Sequence, residues 1–217
     1  MNYIVFDLEF NQPFNFKTGA KTYLNPKCPF EIIQIGAVKL NDNFEITDSF
    51  NGLIRPSIYK RIHPYVEKIT GFDMSTFKDS PGFTDVYEKF LEFMGDKEEN
   101  ILCTWGFDDI KSLFRNILFY KIDTESISHR CVNVQRYATE YLHNEPGKSI
   151  GLKNAVIQLD IPASTNFHNA LNDAEYTAKI FKIVHPEDME IKNFDLSELK
   201  KAKAKRRVMK KSKKVEQ

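Results

Sequence analysis

Apolar positions follow a period of two in the first quarter of the chain and a helical period from about residue 83 onward. The opening run "NYIVFDLEF" predicts a strand, with Tyr3, Val5, Asp7 and Glu9 on one face. "EIIQIGAVKL" (31–40) and "FEITDSFNGLI" (44–54) predict two more strands, and Asn41, Asp42 and Asn43 between them form a hairpin signal. Residues 11–30 are polar and carry Pro13, Gly19, Pro26 and Pro29, so a long loop leaves the two acids of the first strand.

After Pro56 a helical stretch is expected up to Gly71, divided by Pro64. Ser80 as N-cap and Pro81 at N1 then predict a helix burying Phe83, Val86, Tyr87, Phe90, Leu91 and Met94. "ILCTW" (101–105) predicts a short buried strand, 108–119 a helix and 128–134 a last strand. Helices at about 135–142, 151–158 and 168–184 complete the domain. Strands as a meander, then strands alternating with helices, point to an α/β fold with a mixed sheet covered on both faces. The boundary falls at about residue 186, leaving 1–186 as one domain and 187–217 as a basic C-terminal tail.

Composition narrows the class. Of 217 residues, 41% are hydrophobic and 28% charged, which excludes a disordered or collagen-like chain. No run of 18 apolar residues and no signal-peptide pattern occurs, so no membrane is expected as partner and the location reads as cytoplasmic. Cys28, Cys103 and Cys131 are odd in number and far apart, as reduced thiols would be. The net charge of +1 hides two parts of opposite sign. Residues 200–217 hold ten Lys or Arg and one acid, whereas the first 199 residues hold 21 basic and 29 acidic groups, a net −8. An acidic body with a basic tail concentrates carboxylates in one part and meets polyanions with the other.

Asp7 and Glu9 project from the same strand face and can share a cation. Asp-x-Glu occurs five times here, so spacing alone decides nothing. Only this pair sits at the carboxyl end of an apolar strand, where open α/β sheets place their ligand crevice. In "FHNALNDAEYTAKIF", His168 and Asp173 lie five apart and cannot share a helical face, so the imidazole comes from the loop or first turn and the acid from the helix. Asp108 and Asp109 stand at a helix entrance, where the dipole alone favours acids, yet either could bring a third carboxylate to the crevice.

"FDLEFN", "EIIQIGAV", "WGFDD" and "HNALNDA", in that order, resemble the DnaQ-like, DEDDh-type 3′-to-5′ exonucleases, and more narrowly the KapD and Eri-like branch with its Trp-Gly-x-x-Asp motif. The resemblance spans about residues 3–184. It implies a ribonuclease-H-like fold, a five-stranded mixed sheet with helices on both faces. It also implies that Asp7, Glu9, Asp109 and Asp173 bind two divalent metals, with Asp109 matching Trp105 plus four. His168 is then the general base, and with Glu9 the catalytic pair. The family's Thr-Gly-Ile is here Thr70-Gly71-Phe72, a bulkier contact for the terminal nucleotide.

The chemistry is consistent with that resemblance. Two cations can assist both the attacking water and the departing 3′ oxygen, and an all-carboxylate set suits Mg²⁺, with Mn²⁺ able to substitute. Imidazole is the side chain suited to accepting a proton near neutrality. The backbone near Leu8, Glu9 and Phe10 and the rings of Phe10, Phe72 and Phe107 are candidate substrate contacts, with Thr70 and Asn11 as weaker ones. The expected function is release of nucleoside 5′-monophosphates from the 3′ end of single-stranded nucleic acid, RNA or DNA, with RNA favoured by the branch. The basic tail would hold the phosphate backbone. Two rivals stand beside this: a non-catalytic binding module of the same fold, and a proofreading subunit acting on DNA.

Overall fold

The computed structural model describes residues 1–19, 25–143, 148–163 and 166–199. Its centre is β1 (Asn2–Asn11), which pairs antiparallel with β2 (Glu31–Leu40) on one side and parallel with β4 (Asn100–Thr104) on the other. β3 (Ile46–Leu53) extends the sheet beyond β2, and β5 (Arg130–Asn133) lies parallel to β4. A two-residue strand, β6 (Lys192–Asn193), closes the far edge against β5, giving the order β3-β2-β1-β4-β5-β6. The expected mixed sheet is present with a sixth, very short strand.

Each sheet face carries its own core. Ile4, Phe6 and Leu8 of β1 pack with α2 (Phe83–Met94) and α3 (Asp108–Phe119), through Phe90, Leu113 and Phe114 among others. Val5 points to the opposite face, where α4 (Val134–Tyr141), α5 (Leu152–Gln158) and α6 (Ala170–Val184) cover it with Val134, Val156 and Phe181. The period of two thus sends Asp7 and Glu9 to the α6 side. β1 and β4 are hydrogen-bonded only as far as Val5 and Cys103. Beyond that point the two parallel strands part, and a crevice opens at their carboxyl ends, beside both acids.

Three expectations need correction. The helix expected after Pro56 starts only at Pro64 and runs to Thr70 (α1), with His63 as its cap. Before it, the backbone N–H groups of residues 57–59 turn inward to the Glu31 carboxylate, a non-helical arrangement. Ser80 does not cap α2. Gly82 does, because the Pro81 carbonyl accepts the Arg55 N–H instead. The domain also continues past residue 186: Phe194 stacks on Phe114 at 4.9 Å between centroids, and Leu199 is buried in the same core. Residues 187–199 belong to the packed body. The tail from residue 200 lies outside the described residues.

Gly36 fixes how closely α6 approaches the sheet. It lies opposite Asp7 in the β1–β2 register, and a Cβ there would fall 2.0 Å from the Leu171 nitrogen and 2.1 Å from the Ala170 carbonyl carbon. Those are backbone atoms of a helix start, which cannot swing aside. Gly36→Ala is expected to cost at least about 3 kcal/mol, seen as a fall in melting temperature on the order of 10 °C. A melting temperature within about 2 °C of wild type would show that α6 is not seated so closely.

Candidate active site

Four acids converge on the crevice from three elements. Asp7 and Glu9 come from β1, Asp109 from the first turn of α3, and Asp173 from the first turn of α6. Glu9, Asp109 and Asp173 are buried, each below one tenth exposed. The two neighbouring aspartates differ in orientation. Asp108 is fully exposed and pairs with Lys111, whereas Asp109 turns inward toward the other carboxylates.

Like charges at close quarters disfavour ionisation. Burial, then the carboxylates of Asp109, Glu9 and Asp173, hold Asp7 well above the ordinary carboxylate range. Burial, then Asp173 and Asp109, push Glu9 up to about 8. Asp109 is pushed up to about 7 by burial and then by Asp108 and Asp173. Asp173 is raised by burial, against the opposing pull of the His168 backbone N–H, which donates to its Oδ2 at 3.1 Å.

His168 closes the site from above. Its backbone is left-handed, with φ of 65°, and its exposed side chain stands over the acids. Glu9, His168 and Asp173 offer ligand atoms that all lie within 4.8 Å of one another. The Asp173 Oδ1 is buried without a hydrogen-bond partner. An unpartnered carboxylate oxygen amid mutually repelling acids, with no thiol among them, fits a hard divalent cation. A groove of about 250 Å³ leads away from His168 and Asp173, walled by Phe167 and by the start of α5 at Leu152, Lys153 and Asn154.

The local structure explains how each group arrives. Thr104 hydrogen-bonds the Gly106 carbonyl, and the Gly106 N–H donates to Asn133 Oδ1 at 3.2 Å. With Gly106 at φ of 92°, this turn swings the chain from β4 into α3 and delivers Asp109. On the other side, the Gln34 Oε1 accepts the Ala170 N–H at 3.1 Å, and its amide nitrogen donates to Asn51 Oδ1. Gln34 and Gly36 together dock the start of α6, and so place His168 and Asp173. Neither was singled out from sequence, although both sit in "EIIQIGAV", where a buried amide and a glycine interrupt an apolar run.

The expected substrate contacts fare unevenly. The Leu8 side chain is in the core, which leaves only its backbone as the expected contact. Phe10 is half-buried and tilts against Phe30. Thr70 Oγ1 donates to the Val66 carbonyl and accepts the Phe72 N–H, finishing α1. Phe72 is half-buried, edge-on to Phe77 at 5.6 Å. Phe107 caps the start of α3 and packs against the core. Asn11 is a structural strut: fully buried, it donates to the Tyr59 and Arg61 carbonyls and accepts the His63 N–H.

Known proteins resemble this chain in sequence and fold. The sequence model of the family described as Exonuclease (RNase_T) matches residues 4–181. The probable 3′-5′ exonuclease KapD of Bacillus subtilis (strain 168) is 25% identical over 182 residues, 83% of either chain. The DNA polymerase III subunit epsilon of Buchnera aphidicola subsp. Baizongia pistaciae is 28% identical over 181 residues, covering 80% of this chain and 71% of its own. The PolC-type DNA polymerase III of Clostridium perfringens is 28% identical over 180 residues, 83% of this chain; the match spans only 11% of that polymerase. Another PolC-type relative, from Caldanaerobacter subterraneus, is matched over 5% of its length. Among solved structures, the nuclease domain of 3′hExo, a DEDDh family member bound to rAMP, superposes with a TM-score of 0.72 at 19% identity, covering 89% of this chain and 96% of that one.

Proposed function

We propose that this chain, which belongs to the DnaQ-like 3′-5′ exonuclease family, releases nucleoside 5′-monophosphates from the 3′ end of single-stranded nucleic acid, with RNA favoured over DNA. The chain carries a DEDDh-type exonuclease domain, and the reaction is phosphodiester hydrolysis. The observation that supports the detailed reading is the convergence of Asp7, Glu9, Asp109 and Asp173 beneath His168.

Asp7, Glu9, Asp109 and Asp173 would hold two divalent cations, Mg²⁺ with Mn²⁺ able to replace it. When bound, such cations supply positive charge that lowers the barrier to attack and stabilises the leaving 3′ oxygen. This chain's residues do the rest. The Asp173 carboxylate accepts the His168 backbone N–H and so fixes the turn that carries the imidazole. His168 takes the proton of the attacking water, while Glu9 helps hold the terminal phosphate's surroundings in place. The Leu8–Phe10 backbone, Thr70 and Phe72 would border the terminal nucleotide, with Phe72 filling space that a smaller side chain leaves open.

The lysine-rich residues 200–217 would hold the phosphate backbone non-specifically, since the body itself carries net −8. No helix among the described residues is long and apolar enough to cross a membrane. The three cysteines are free and buried, and a cytoplasmic location belongs to the same reading. The PolC-type and epsilon relatives favour one second reading, an exonuclease that edits DNA beside a polymerase.

The test compares matched 5′-labelled single-stranded RNA, single-stranded DNA and duplex DNA with a mismatched 3′ end. Expected are stepwise shortening from the 3′ end, 5′-monophosphate products, and RNA cleaved several-fold faster than DNA. A strong preference for the mismatched duplex would replace this reading with the editing one.

A further inference from the structure

The charge of the body is unevenly placed. Residues 10–30 and 49–66 contain six Lys or Arg and no Asp or Glu, which leaves 15 basic and 29 acidic groups in the other 160 residues before the tail. These two acid-free segments are also sewn together. Both flank Glu31, whose buried carboxylate accepts the N–H groups of Ser57, Ile58 and Tyr59. Asn11 binds the backbone of Tyr59, Arg61 and His63. Tyr59 returns the link, its hydroxyl donating to the Cys28 carbonyl at 2.9 Å and accepting the Asn25 N–H.

Rings gather on this frame. Phe14 lies edge-on to His63 at 4.8 Å and to Phe16 at 5.0 Å. The Arg61 guanidinium sits 3.7 Å over the Phe16 ring, and Phe16 is 38% exposed. Phe14 follows Glu9 by five residues, so the cluster stands within about 17 Å of the acids along the chain. α1 runs from this cluster to the Thr70–Phe72 turn, about 10 Å in seven residues. A surface that only closed a core would bury Phe16 and spread its charges. This one exposes a ring and stacks a planar cation on it.

We infer that the Phe14–Phe16–Arg61–His63 cluster is a docking platform for the single strand upstream of the nucleotide being removed. Its exposed ring and guanidinium stack bases without reading their identity, and Lys17, Lys60 and Arg61 meet the phosphates. The inference rests on the exonuclease reading above and adds the path by which a strand reaches the acids.

The experiment measures kcat/KM for a 5′-labelled dinucleotide and a 12-nucleotide strand with Mg²⁺, in the full chain and in Phe16→Ala, Phe16→Leu, Arg61→Ala and Arg61→Lys. Phe16→Leu keeps an apolar side chain on the loop but removes the ring, and melting temperatures identify any variant that has lost its fold. Wild type is expected to favour the longer strand. That advantage should fall at least about fivefold in Phe16→Leu and Arg61→Ala, and Arg61→Lys should restore less than half of it, because a charge without a planar face cannot stack. A wild-type enzyme indifferent to length, or folded variants that keep the full advantage, would overturn the platform. Wild type that cleaves neither strand would instead overturn the exonuclease reading on which it rests.

Discussion

Asp7→Asn is expected to reduce Mg²⁺-dependent strand cleavage at least about 10³-fold and to raise the melting temperature of the metal-free protein at pH 8. The first effect follows from the ligand role proposed for Asp7, since the charge it would hold is worth several kcal/mol in the transition state. The second follows from repulsion. Asp7 is flanked by Glu9, Asp109 and Asp173, and burial together with these neighbours opposes its ionisation. An amide of the same shape removes a group whose ionisation the fold disfavours, without opening a cavity.

The pH dependence has a definite sign. A carboxyl whose folded value is raised contributes stability that is complete below its unfolded value and disappears as pH rises through the folded one. Glu9 is raised to about 8 and Asp109 to about 7. Metal-free wild type should therefore lose stability between about pH 4.5 and pH 8, at about 1.4 kcal/mol per unit of raised pKa. A divalent cation that binds only the folded site reverses this loss. Its stabilising shift should be larger at pH 8 than at pH 6 and smaller in Asp7→Asn. Thermal melts across this range, with EDTA and with Mg²⁺ or Mn²⁺, check all three points. A metal-free melting temperature that stays flat with pH would mean the four acids do not burden one another.

Much of this site was legible because its signals are local. An apolar strand that ends in Asp7 and Glu9 declares both the strand and the face. α3 was expected at 108–119 and runs from Asp108 to Phe119, since its apolar spacing and entrance acids suffice. What escaped depends on contacts between distant segments. Gly36 reads as one more small residue in a buried run until the start of α6 is found lying on it. Asn11 looked like a substrate contact because it follows the acids, yet its amide is consumed by the 59–63 turn. The sixth strand has two residues and no periodicity to detect, and the 187–199 segment is anchored by only a few apolar side chains, chiefly Phe194 and Leu199. Choosing between Asp108 and Asp109 required orientation, because adjacent residues on a helix differ by about 100° and the sequence places both at the same entrance.

His168→Asn should lower kcat by about 10²- to 10⁴-fold while leaving the metal-induced rise in melting temperature largely intact. Asparagine is chosen because it tolerates the left-handed backbone that His168 adopts, where alanine would add strain. Two roles compete for this imidazole, because its nitrogens lie close enough to Glu9 and Asp173 to bind the same cation. A ligand role predicts that the substitution weakens metal binding, so activity returns at high Mn²⁺ and the thermal shift shrinks. A base role predicts a loss that no metal concentration repairs. It also predicts that the fall in rate on the acid side of the wild-type profile, measured at saturating metal, is absent from the variant. The His168 side chain is exposed, and its backbone N–H, not the ring, donates to Asp173 Oδ2. The metal titration and the pH profile, read together, therefore decide between the two roles.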